Sequence, residues 1–179
     1  MPVERGRTIC FVDNSNVFGG QRSVGWRIDW QKFAAHLDST SPVWQTYFFA
    51  SELDPPRAIQ TDFYRFLKEQ LRWELRLYDL GQKTQRCSSC GNQERLPAEK
   101  GVDVGLATKM LMLAFNKAYE TAILVSGDKD YLETVGFIKN LGLRVEVISW
   151  AGALSPELRA ESSVPVILLD NLRAQIERV

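Results

Sequence analysis

Four aspartates stand where apolar segments begin or end. Asp13 follows the run "TICFV", while Asp128 and Asp130, in "SGDKD", follow "AILV". Asp103 opens the stretch "VDVGLATKMLMLA", and counting from it at helical spacing reaches Leu106, Ala107, Met110, Leu111 and Ala114. That spacing predicts an acid continuing an apolar stripe and pointing inward. Carboxylates gathered in one cleft repel each other, by about 4 kcal/mol per pair at ~4 Å in an effective dielectric near 20. A divalent cation relieves this. Mg²⁺ and Mn²⁺ prefer oxygen donors, and an acidic cluster without histidine suits them rather than zinc. The one histidine, His36, reads as a polar helix-face residue.

Each acid also has a local use. Asp128 can cap a helix and Asp130 can occupy its first turn, Asp103 gains from a helix dipole, and Asn16 can be a turn residue ahead of Gly19 and Gly20. The functional reading rests on their meeting at one place. In an open parallel sheet that place is the carboxyl edge, at the point where strand order reverses.

The elements needed to build such an edge are visible. Residues 9–12, 44–50, 73–79, 122–126 and 144–148 are short β-rich stretches, and "VPVILL" is a further strand-like one. Between them lie helix-spaced segments: Trp30 to Leu37, Ile59 to Leu67, about 102–118 and about 131–140, with Gly142 as a stop. A short helical piece around Pro156 and a terminal one from Asn171 follow. This alternation predicts a doubly wound α/β fold, with a mainly parallel sheet of five to six strands and helices on both faces. One domain is expected over 1–179, interrupted by a polar insertion at about 81–99 that carries "CSSCG".

"FVDNSN", "KGVDVGLATKMLMLA" and "ILVSGDKDYLETV", taken in order, resemble the NYN domains, the LabA-like branch of the PIN-like nuclease superfamily, over roughly Thr8 to Trp150. The resemblance implies a PIN-like fold and a metal-dependent ribonuclease site leaving a 5′-phosphate and a 3′-hydroxyl. Asp13, Asp103 and Asp128 would then be Mg²⁺ or Mn²⁺ ligands, with Asp130 a water-mediated ligand or positioner. Asn16 would be a polar partner of the first ligand, Lys100 would meet a phosphate and Ser126 would make a minor contact. Asn14 stands where family patterns often have glycine, which bears on the turn and not on the ligand.

Grip on RNA, single-stranded or structured, is expected from local cations, Arg22, Arg27, Lys100 and Lys129, each of which is equally at home on a solvated surface. Trp26 is a candidate for base stacking or, more simply, for the core. A different class of function is a PIN-like scaffold that binds RNA or protein without cutting. A haloacid-dehalogenase-type phosphatase fits less well, because the position two residues after Asp13 is Ser15; dinucleotide binding lacks its glycine fingerprint.

Bulk properties narrow the setting. The 22 basic and 22 acidic side chains cancel, so a nucleic-acid site must be a local patch. No apolar run approaches the ~20 residues of a membrane span and the first residues lack a signal-peptide core, so a cytoplasmic protein is expected. Three cysteines make no secreted-type disulfide framework, and Cys10 reads as a small core residue. Cys87 and Cys90 supply half of a zinc site, so two chains could share one zinc as a homodimer; a redox pair or a plain turn are the alternatives.

Overall fold

The computed structural model describes residues 4–53, 55–86, 89–91, 93–98 and 101–179. In chain order the elements are β1 (Thr8–Asp13), α1 (Asn14–Val24), α2 (Trp30–Thr40), β2 (Val43–Glu52), α3 (Ala58–Glu69), β3 (Glu74–Asp79), β4 (Gly81–Arg86) and β5 (Gln93–Ala98). They continue with α4 (Val102–Phe115), β6 (Thr121–Val125), α5 (Leu132–Asn140), β7 (Arg144–Ser149), α6 (Pro156–Glu161), β8 (Ile167–Leu168) and α7 (Arg173–Ile176). Short 3₁₀ turns at Lys129–Tyr131 and Leu169–Leu172 lead into α5 and α7.

Six strands form one parallel sheet in the order β3-β2-β1-β6-β7-β8. From β1 the chain first builds outward through β2 and β3, then returns to the other side of β1 with β6. Strand order therefore reverses at β1 and β6. Every residue of β1 is buried, and its alternation divides the core in two. Cys10 and Val12 join Val17, Trp30, Phe33, Tyr64 and Leu67 on one face. Ile9 and Phe11 join Leu106, Met110, Val135, Ile138 and Leu158 on the other.

The insertion after β3 contains an antiparallel hairpin, with Gly81 opposite Ala98 and Arg86 opposite Gln93. Of "CSSCG", Ser89 and Cys90 lie in a turn between its two strands. Cys87 lies outside the described residues, and Cys90 is exposed.

The segment after β1 departs from the sequence reading. Asn16, Gly19 and Gly20 belong to an eleven-residue helix rather than to a turn. Interior glycines cost a helix ~1 kcal/mol each, so local propensity argues against α1. Tertiary contacts supply the reason for it. A Cβ on Gly20 would overlap the Trp150 indole, whose Nε1–H donates to the Val17 carbonyl at 3.0 Å. The Asp13 side chain caps the first turn, and Gly25, at φ +75°, ends the helix.

Candidate active site

Because Val12 pairs with Val125, Asp13 and Ser126 leave the sheet side by side at the point where strand order reverses. Asp13 is only 1% exposed. Its Oδ1 accepts the Ser15 hydroxyl at 2.7 Å and the Asn16 amide at 3.2 Å. Its Oδ2 accepts the Ser126 hydroxyl at 3.0 Å and lies 3.3 Å from the Tyr131 hydroxyl. Both oxygens are hydrogen-bonded, yet no cationic side chain pairs with this carboxylate among the described residues.

Tyr131 reaches a second acid. Its hydroxyl is 3.2 Å from Asp103 Oδ1, so one phenolic proton is shared between two carboxylates and serves one of them at a time. Burial, followed by the charge on Asp13, pushes the Asp103 carboxyl above its ordinary range; the Tyr131 bond opposes this and the charges of Asp128 and Asp130 add to it. The Tyr131 phenol is pushed far up, first by burial and then by the two aspartates, and remains a neutral donor.

Asp103 itself does not point into the core. The buried stripe of α4 is Val102, Leu106, Met110 and Ala114, and Asp103 sits exposed beside it. Its first-turn position brings Oδ1 within reach of the Tyr131 hydroxyl.

The β6 side is assembled from short-range bonds. Asn16 Oδ1 accepts the Gly127 amide at 3.1 Å, and Ser126 Oγ accepts the Asp128 amide at 3.2 Å. Asp128 Oδ1 accepts the Asp130 amide at 3.0 Å, capping the 3₁₀ turn as its local role predicts. A side chain at 127 would overlap the Ala153 carbonyl and the Ser149 hydroxyl, so glycine is required for this close approach.

Asp13, Asn16, Asp103, Ser126 and Asp128 are thus joined, directly or through Tyr131, and Asp130 lies at the rim, exposed beside Lys129. Arg22 and Arg27 are exposed and form no ion pair with these acids. Lys100 lies outside the described residues. Trp26 is buried edge-on against Trp150, with ring centroids 5.0 Å apart, and is a core residue. Tyr131 escaped the sequence reading because it begins an apolar helical run; its only signal was its place directly after "SGDKD".

Among the described residues no three His, Cys, Asp or Glu side chains group closely enough to hold a metal ion as they stand. The donors that do converge are all oxygens, the set that Mg²⁺ and Mn²⁺ take and zinc avoids.

A parallel α/β sheet with acids at the carboxyl edge of β1 and β6 is the architecture of the PIN-like nuclease superfamily. The NYN domain model matches residues 7–169, nearly the whole chain, and the protein belongs to that family. A crystal structure of a protein of unknown function from Vibrio parahaemolyticus is similar in fold, with a TM-score of 0.74 and 19% sequence identity, covering 98% of each chain. No curated protein matches. No helix among the described residues is long and apolar enough to cross a membrane.

Proposed function

We propose that the protein is a metal-dependent ribonuclease whose centre is the cleft of Asp13, Asp103 and Asp128. The observation that carries this reading is Asp13: a buried carboxylate with every oxygen bonded and, among the described residues, no cationic side chain to balance it. Mg²⁺ or Mn²⁺ supplies that balance, and when bound it activates water and neutralises charge on a phosphodiester. Asp13 and Asp103 would hold it, with Asp128 turning from its capping bond to join them. Ser126, Ser15 and Tyr131 orient the carboxylates. Asn16, through Gly127, holds the start of α1 against the end of β6.

The test is cleavage of labelled single-stranded and hairpin RNA with Mn²⁺, with Mg²⁺ and with a chelator. Cutting that needs the metal and leaves 5′-phosphates supports the proposal; equal cutting in the chelator sinks it. That no three acids converge closely among the described residues favours a second reading, RNA or protein binding without cleavage, and binding with no cutting in any metal selects it. For Cys87 and Cys90 the proposal is a zinc shared by two copies of the chain. It is tested by zinc content and sedimentation of the double serine variant, and it fails if both stay at parental values.

A further inference from the structure

Phe18 is the fifth residue after Asp13, and it is 52% exposed. Helix α1 opens at the acidic cleft and contributes Val17 alone to the buried set, with Val24 packed partly buried against the core and Phe18 left outside it. The bonding of its neighbours sets the direction in which Phe18 points. Asn16 faces Gly127 and Gly20 faces Trp150, residues that follow β6 and β7. At 100° per residue Phe18 lies roughly opposite both. It is therefore turned away from the loops that close the β6 side of the cleft. Asn14, Phe18 and Arg22 fall at i, i+4 and i+8, a single row ~12 Å long that starts beside Asp13. The row carries a polar side chain, an exposed aromatic ring and an exposed cation. Helix α1 also packs against β2, and the chain leaving β2 at the same sheet edge carries exposed Arg57 and Ile59.

From this row we infer that α1 is a track for an unpaired RNA strand, on which the Phe18 ring stacks a base next to the scissile phosphate while Arg22 meets a phosphate further along. An aromatic ring interleaved with cations is how single strands are gripped without sequence readout, since every base presents a π-face and every nucleotide a charge. A base inside a duplex is already stacked on both sides and cannot use the ring. The inference rests on the ribonuclease reading for its substrate class and names the form of RNA that the site accepts. Phe18 takes the part that the sequence alone offered to Trp26.

The experiment is binding, kept apart from cleavage. A fluorescein-labelled 12-nucleotide single-stranded RNA and a blunt RNA duplex are titrated in chelator with the parent protein and with Phe18→Trp, Phe18→Leu and Phe18→Ala. Because Phe18 is exposed, all three variants should melt with the parent. Ala and Leu should weaken single-strand binding about tenfold and Trp should retain it, with duplex binding unmoved in all. A 2-aminopurine placed in the strand should be quenched by the parent and by Trp, but not by Ala. Leu binding as tightly as Phe, or Ala leaving single-strand affinity unchanged, overturns the stacking role. If Phe18→Ala weakens binding while the parent never cuts RNA in Mn²⁺, the ribonuclease reading falls and the track stands. If the parent cuts RNA and Phe18→Ala binds it normally, the reverse holds.

Discussion

Two carboxylates are buried in this sheet, and they are held in opposite ways. Glu146, on β7, pairs with the equally buried Arg5 at 2.8 Å, and Arg144 Nε lies 3.2 Å from its other oxygen, an ion-pair contact without hydrogen-bond alignment. Asp13, on β1, is surrounded by three hydroxyls and one backbone amide, with no cationic side chain paired to it among the described residues. A buried charge is tolerated when its neighbours balance it, so Glu146 is complete within the protein. Asp13 is satisfied in hydrogen bonds but not in charge. Structural acids bring their counter-ion in the sequence; an acid that meets a ligand leaves the place for it open.

The comparison is most easily broken at its active end. Asp13→Asn should reduce Mn²⁺-dependent RNA cleavage by about a thousandfold or more, a loss of ~4 kcal/mol in transition-state stabilisation. Its melting temperature without metal should stay near the parent's, because no charged partner is orphaned. A variant that unfolds instead would make Asp13 a structural acid like Glu146.

Glu146→Gln should behave in the opposite way. It leaves Arg5 buried without its counter-charge and should cost about 3–5 kcal/mol, read from denaturant midpoints. A loss below 1 kcal/mol would erase the distinction between the two sites.

Tyr131→Phe keeps the ring in the core and deletes only the shared hydroxyl. In chelator it should lose about 1 kcal/mol, the usual worth of one hydrogen bond, as Asp13 and Asp103 face each other without a donor between them. Saturating Mn²⁺ should restore the parental melting temperature. If the deficit persists in metal, the hydroxyl serves packing rather than the carboxylate pair.

The smallest effect is one of pH. Asp103 binds its proton more tightly in the folded protein than in the unfolded chain, because burial and the Asp13 charge raise its carboxyl. The stability this contributes is fully present below the ordinary carboxylate range and is lost as pH rises through the raised value. In chelator, the parent should therefore lose stability from this group as pH rises above the ordinary carboxylate range, and Asp103→Asn should flatten that part of the profile. Identical profiles for the two proteins would remove the coupling between Asp103 and Asp13.

The sheet was legible before the fold was seen because its strands are short apolar runs, and burial on both faces leaves such runs no other use. The β1 and β6 edge could be named for the same reason: "ICFV" and "AILV" each stop at an aspartate. Helix α1 could not be read this way, since Gly19 and Gly20 signal a turn, and the packing of the Trp150 indole, more than a hundred residues away, against Gly20 is not visible in the sequence. Spacing alone likewise put Asp103 on the buried stripe, when a rotation of one residue sets it at the rim.

By itself, then, the sequence determined the class of fold and the acids at the sheet edge, which follow from periodicity and from residue types that a core rejects, and it pointed to the family through the resemblance of its three motifs. Tertiary structure alone decided how the acids are joined. That Asp13 meets no cation among the described residues while Glu146 meets one, that a tyrosine proton lies between Asp13 and Asp103, and that Phe18 is exposed while Trp26 is buried all depend on side chains brought together from distant positions. Charge balance and exposure are properties of a neighbourhood, and no spacing along the chain encodes them.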